Sequence, residues 1–204
     1  MYCPQCNCEY TGWKQKCPVC QTRLLEVKPN ATKIKSKPAD YDSLVDAVRE
    51  HGGSLTIEME ATEIETKRGR RMPYIGRGYA WAKQMEGIND HFSVTLRTCE
   101  VGRDRKWTFP YFGYGFAWEK SMQGNVNGNP LSLKAEKVSR QSKKGFPYKG
   151  YGFAWVQTMS GECGEKLRAR LTITEVQKQR RWLFPYFGFG FAWANAGKLT
   201  LTLA

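Results

Sequence analysis

MPYIGRGYAW (Met72 to Trp81), FPYFGYGFAW (Phe109 to Trp118), FPYKGYGFAW (Phe146 to Trp155) and FPYFGFGFAW (Phe184 to Trp193) are four versions of one phrase. Their tryptophans lie 37, 37 and 38 residues apart. A period of that size marks a repeat architecture, whose single unit cannot bury its own apolar face. Upstream of each phrase runs a stretch of alternating apolar and polar residues: Leu55–Ala61, Phe92–Thr98, Leu131–Ala135 and Leu167–Ile173. Alternation is the period of a half-buried strand, so the first, third and fifth residues of each stretch are expected to face a core.

A charged connection separates stretch from phrase in every copy. It holds Lys67, Arg68, Arg70 and Arg71, then Arg103, Arg105 and Lys106, then Lys143 and Lys144, then Lys178, Arg180 and Arg181. Met85-Glu86-Gly87, Met122-Gln123-Gly124 and Met159-Ser160-Gly161 follow the phrases and read as polar turns. Each unit is therefore expected to be a ββ hairpin: strand, basic turn, aromatic-glycine strand, polar turn. Leu199–Leu203 echoes the first strand of a unit and is expected to pair with the last aromatic strand. The expected fold is mainly β, an antiparallel barrel of eight or nine strands, with a four-fold propeller-like ring or two packed sheets as alternatives.

Within the phrase, Gly76, Gly78, Ala80 and their equivalents share one face of a strand. Glycine weakens a strand unless something must approach closely, so this face is expected to pack on another backbone. The other face carries Ile75, Arg77, Tyr79 and Trp81, then Phe112, Tyr114, Phe116 and Trp118, then Lys149, Tyr151, Phe153 and Trp155, then Phe187, Phe189, Phe191 and Trp193. Arg77 and Lys149 stand where other copies have aromatics, and a cation replaces an aromatic more easily on an accessible surface than in a dry core. Arg77, Tyr114, Lys149, Tyr151 and Phe189 are therefore candidate ligand contacts, whereas the tryptophans favour the core.

Five of the seven cysteines fall in the first 20 residues. Cys3-Pro4-Gln5-Cys6 and Cys17-Pro18-Val19-Cys20 are two CPxC turns that can aim four thiolates at one Zn2+. This pattern resembles the zinc-ribbon family with rubredoxin-type knuckles, although Asn7 and Gln21 stand where glycine is usual. The resemblance implies Cys3, Cys6, Cys17 and Cys20 as metal ligands, with Cys8 a neighbouring free thiol. A closed four-sulfur site is structural, and its surface is a docking candidate for nucleic acid or a partner protein.

The ribbon is assigned to residues 1–26, a basic linker to 27–39 and a capping helix to 40–53. The repeat domain is assigned to 54–204, in units of about 54–89, 90–127, 128–164 and 165–204. Gly52-Gly53 ends the helix run of Leu44, Val45, Ala47 and Val48.

The net charge is +13, with 24 Lys/Arg against 13 Asp/Glu in residues 51–204, an excess that favours polyanion partners. No stretch reaches the length of an apolar membrane span, and no signal peptide opens the chain, so a cytoplasmic location without a membrane partner is expected. Arg77-Gly78-Tyr79-Ala80-Trp81 and Lys149-Gly150-Tyr151-Gly152-Phe153-Ala154 look like the aromatic-glycine strand of RNA-recognition motif and cold-shock domains. That likeness covers five or six residues and implies phosphate contacts from the cation and base stacking on the rings.

His51 and His91 have no nucleophile or second ligand set beside them, and Glu63, Glu100 and Glu175 recur as symmetric strand-end carboxylates, with Lys137 in the third copy. No enzyme activity is expected. The sequence therefore points to an RNA-binding protein, ribosomal RNA being one target, with Arg68, Arg70, Arg71, Arg105, Lys106, Lys143, Lys144, Arg180 and Arg181 on the phosphates. The alternatives are a barrel for carbohydrate or small anionic nucleotides, and a protein scaffold docked through the ribbon.

Overall fold

The computed structural model describes residues 41–71, 75–89, 92–109, 112–184 and 186–204, and the backbone of residues 2–3 and 8–9. The chain divides into two units, Met1–Lys35 and Ser36–Ala204. In the first, β1 (Tyr2–Cys3) pairs antiparallel with β2 (Cys8–Glu9); the metal-ligand assignment lies outside the described side chains.

The second unit is one helix and one barrel. Eight long strands, β3 (Ser54–Arg71), β4 (Ile75–Asn89), β5 (Phe92–Thr108), β6 (Phe112–Val126), β7 (Asn129–Gly145), β8 (Lys149–Cys163), β9 (Leu167–Leu183) and β10 (Phe187–Leu203), close in the order β10-β3-β4-β5-β6-β7-β8-β9. All described pairings are antiparallel, so the closed barrel is as expected. Leu199–Leu203 is not a ninth strand; it continues β10 from the last phrase and pairs with β9 and β3.

Both sets of expected turns are strand instead. The basic stretches run inside β3, β5, β7 and β9, and Met85–Gly87, Met122–Gly124 and Met159–Gly161 inside β4, β6 and β8. Gly124 and Gly161 are there for close approach rather than reversal, since a Cβ on either would collide with the backbone of Thr95 or Ser132 on the adjoining strand. The β6–β7 reversal is instead the two-residue pair Asn127-Gly128, both at positive φ (47° and 91°), the conformation that asparagine and glycine tolerate in a tight hairpin.

Each strand has two halves of different character. In the half nearer the helix, Leu55, Ile57 and Met59 and their equivalents Val94, Leu96, Leu131, Leu133, Leu167, Ala169 and Leu171 point inward to one continuous core. Helix α1 (Tyr41–Glu50) caps that core with Leu44, Val45 and Val48. The Tyr41 hydroxyl donates to the Cys163 carbonyl (2.9 Å) and accepts from the Lys166 amide (2.6 Å). The helix closes with amides of Gly52 and Gly53 bonded back to Arg49 and Val48, both glycines at positive φ.

Midway, every hairpin shifts register. The breaks fall at Ala61/Glu63/Ile64, Thr98/Glu100/Val101, Ala135/Lys137/Val138 and, in the last hairpin, Ala194/Ala196/Gly197. Such irregularities bend a strand and re-aim its side chains. Beyond them the hairpins part from one another: β4 and β5 pair no further than Gln84 with Arg97, while β3 and β4 stay paired to Arg71 and Ile75. The four phrases then converge as an inner square of strands. A Cβ on Gly76 would lie 2.5 Å from the Gly188 carbonyl oxygen, and one on Gly150 would lie 2.6 Å from that of Gly113. Gly78 meets Gly190, Gly152 meets Gly115 and Gly190 meets Gly152 in the same way. Only glycine lets four backbones meet this closely, which is why this face of the phrase is small in every copy. The basic halves of β3, β5, β7 and β9 form the outside of this distal region.

Candidate nucleic-acid interface

The outer half-strands are residues 65–71, 102–108, 139–145 and 177–183, and the inner ones 75–81, 112–118, 149–155 and 187–193. Together they hold 15 Lys/Arg against two Asp/Glu, so this region carries a net charge equal to the whole chain's +13. Residues 66–85, 105–118, 137–161 and 176–204 contain no carboxylate at all. The two acids, Glu65 and Asp104, are already engaged by Lys67 (2.9 Å) and Arg140 (2.7 Å). Among the described residues, Arg68, Arg70, Arg71, Arg105, Lys106, Lys143, Lys144, Arg180 and Arg181 make no ion pair, and all nine are exposed. Cations this dense repel one another, and a polyanion relieves that repulsion. Each outer half-strand also has an unpaired edge, which its lysines and arginines guard against strand addition.

The aromatic rings lie mostly beneath these cations. Arg103 sits over Trp81 (5.4 Å to the ring centre), Arg140 over Trp118 (4.6 Å) and Lys178 over Trp155 (4.3 Å). In each case the cation comes from the hairpin after the tryptophan's own, so the contact staples neighbouring hairpins, at about 0.5–2 kcal/mol each. The fourth junction lacks the staple: Thr66 holds the matching register position, and the Trp193 indole N–H is buried without an acceptor. Arg180 likewise covers Tyr151 and Phe153, Lys144 covers Phe112 and Arg70 covers Phe187.

This arrangement corrects part of the sequence reading. Tyr114 and Phe189, expected to be accessible, are each 2% exposed, because neighbouring hairpins close over positions that look like an open strand face. Burial raises the Tyr114 phenol above its ordinary pKa, partly offset by a hydrogen bond with Thr108. Arg77, Lys149 and Tyr151 are half-buried. Lys149 lies against Trp182 (3.7 Å), and the Arg77 Nε is buried without a partner. Trp81 and Trp155 are buried, as expected of packing residues.

The gaps between hairpins form open clefts. One, of 710 Å³, has Phe153 as its floor and Lys143, Lys178 and Arg180 among its walls. Another, of 390 Å³, is lined by Tyr79, Arg103, Asp104 and Arg105. Lys143 and Arg180 thus meet in one cleft although 37 residues apart in sequence.

The strand-end glutamates do not face the basic segments. At the register shifts Glu63 pairs with Lys83 (2.6 Å) and Glu100 with Lys120 (2.9 Å), while Glu175 accepts from Gln177 and Asn195. Lys120 holds the Glu100 carboxyl below its ordinary pKa.

Sequence reasoning missed two features. Glu119 holds the position that is Ala82, Val156 and Ala194 in the other copies, and it is fully buried. Its Oε1 accepts the Ala82 amide (2.6 Å), while Oε2 has no partner. Desolvation by burial raises its pKa, and the amides of Glu119, Ala82, Val156 and Ala194 offset this in part. The second feature is the set of hairpin tips: Phe109, Phe146 and Phe184 are 79%, 92% and 79% exposed, with Trp107 and Trp182 also exposed behind them. The available signal was the Phe-Pro pair in three of the four phrases, since proline favours turns.

Among the described residues, no group of three or more His, Cys, Asp or Glu could hold a metal ion. Burial pushes the Cys163 thiol up to about 11, so it behaves as a core side chain. Compared with known protein families, curated proteins and solved structures, the chain finds no match.

Proposed function

We propose that the chain is a non-enzymatic nucleic-acid-binding protein, acting on RNA rather than duplex DNA, in the cytoplasm and with ribosomal RNA as one target. The observation that carries this reading is the segregation of charge. The whole excess lies on the distal half of the repeat domain, on strands free of carboxylates beyond Glu65 and Asp104. Phosphates are engaged by Arg68, Arg70, Arg71, Arg105, Lys106, Lys143, Lys144, Arg180 and Arg181. Arg77, Lys149 and Tyr151 lie deeper and contact a chain that enters between hairpins. The ribbon cysteines Cys3, Cys6, Cys17 and Cys20 would hold Zn2+ as a closed structural site, and the ribbon offers a docking surface to RNA or a partner protein.

Titration of labelled single-stranded and structured RNA over a range of salt tests the reading. Affinity should fall linearly on a log–log plot as phosphate counterions are released. Absence of binding to both RNAs at low salt would sink it. One feature favours a second reading, a small anionic nucleotide: the 710 Å³ cleft, which joins an aromatic floor to Lys143, Lys178 and Arg180. That ligand would saturate at a few sites per chain and compete poorly with long RNA.

A further inference from the structure

The described ends of the β5–β6, β7–β8 and β9–β10 hairpins lie at one end of the repeat domain, opposite the helix. Phe109, Phe146 and Phe184 are the most exposed large apolar side chains there, at 79%, 92% and 79%. Two residues behind, on the outer strands, stand Trp107 and Trp182, 58% and 55% exposed. Nearer the centre, Tyr148 packs against Tyr186 (6.1 Å between ring centres) and Phe112 (6.4 Å), tying adjacent hairpins together at this end. An exposed aromatic group of this kind marks an interaction site.

The order of side chains along each hairpin is the informative part. Phenylalanine comes first, tryptophan second in two hairpins, and then Lys/Arg: Arg105 and Lys106, Lys143 and Lys144, Arg180 and Arg181. At about 3.3 Å per residue, those cations lie within roughly 10–15 Å of the tip along the strand. A bilayer surface has the same order, with acyl chains deepest, then the interface where tryptophan and tyrosine concentrate, then lipid phosphates within reach of lysine and arginine. The absence of carboxylates from these hairpin ends removes the usual repulsion from an anionic leaflet.

We infer that the distal end docks on an anionic lipid membrane, with Phe109, Phe146 and Phe184 inserted and the basic outer strands against lipid headgroups. This proposal departs from the expectation of no membrane partner, which rested on the lack of a long apolar segment. The hairpins dock without spanning, because their outer faces carry charge immediately behind the tips. Several rings presented by one glycine-packed scaffold bind together, so modest single insertions add up. The inference is independent of the RNA reading: RNA needs the outer cations, and the membrane needs the tips as well.

Flotation of the full-length protein with vesicles tests this. One set is phosphatidylcholine alone and the other contains about a third phosphatidylserine. Brominated acyl chains in a parallel set report tryptophan depth by quenching. The expected result is binding to the anionic vesicles with quenching that disappears in a Trp107→Phe, Trp182→Phe variant. Phe109→Ser, Phe146→Ser, Phe184→Ser should weaken that binding by at least about tenfold, since the three inserted rings supply the apolar burial. These residues are exposed, so this variant should melt with wild type and keep its RNA affinity. No binding to anionic vesicles, or binding unaffected by the serine substitutions, overturns the inference. So does loss of RNA affinity in the serine variant, which would assign the tips to bases. Tip-dependent self-association without vesicle binding, which would assign them to a second copy of the chain, overturns it as well.

Discussion

The two halves of the barrel are built from the same eight strands by opposite means. Near the helix, strands alternate large apolar and polar residues around a core of leucine, methionine and valine. In the distal half the strands meet through glycine, and the large rings point outward beneath arginine and lysine. The first half is a barrel interior filled by side chains, and its glycines Gly124 and Gly161 serve close approach between adjoining strands rather than across the barrel. The second is held by backbone contact, where one added methyl group has nowhere to go. It also holds the whole charge excess, so the less forgiving half is the one we propose as the ligand surface.

The comparison breaks most visibly at the glycines. Gly78→Val should destabilise the chain by on the order of 3 kcal/mol or more, because its Cβ would strike the Gly190 backbone. Leu133→Val, which removes one methylene from the helix-side core, should cost about 1 kcal/mol. Denaturant unfolding of the two variants checks this; equal losses would mean that the halves are packed alike.

The boundary between the halves is probed by Glu119→Gln. Burial raises the Glu119 pKa above its ordinary 4.5, so the folded state favours the neutral acid. The group's stabilising contribution is fully present below the unfolded value and is lost as pH rises through the folded value. The neutral amide should therefore raise the melting temperature at pH 7.5 and change it little at pH 4. A lower melting temperature for the variant at pH 7.5 would mean that the ring of amides outweighs burial.

The smallest effect sharpens the account of the staples. Arg140→Gln should cost about 1 kcal/mol by removing both the cation over Trp118 and the ion pair with Asp104. Thr66→Arg should return a few tenths to about 1 kcal/mol by supplying the fourth junction, at Trp193, with the cation it lacks. Thermal melts of the single variants, at low and high salt, separate ring stacking from general repulsion.

The hairpin repeat, the inward residues, the glycine face and the burial of Trp81 and Trp155, though not of the half-buried Trp118 and Trp193, were legible because each depends on local pattern. The turns were not. Lys67–Arg71 and Met85–Gly87 carry the composition of loops, yet both lie within strands of 18 and 15 residues, far longer than the usual five or six. Their polarity reflects an outer surface, and their glycines reflect strand approach. Tyr114 and Phe189 were misread for a related reason: alternation shows that two faces differ, but not that a neighbouring hairpin covers the second. The Glu119 site was hidden because it exists only where four copies of one position meet.

The central claim is that the distal outer strands form the ligand surface and the helix-side barrel is scaffold. Crosslinking the full-length protein to RNA in cells, and mapping the modified peptides by mass spectrometry, tests it most directly. The account predicts adducts within residues 65–71, 102–108, 139–145 and 177–183, lost when Lys143, Lys144, Arg180 and Arg181 are changed to glutamate. Adducts confined to α1 and the helix-side halves of the strands would contradict it.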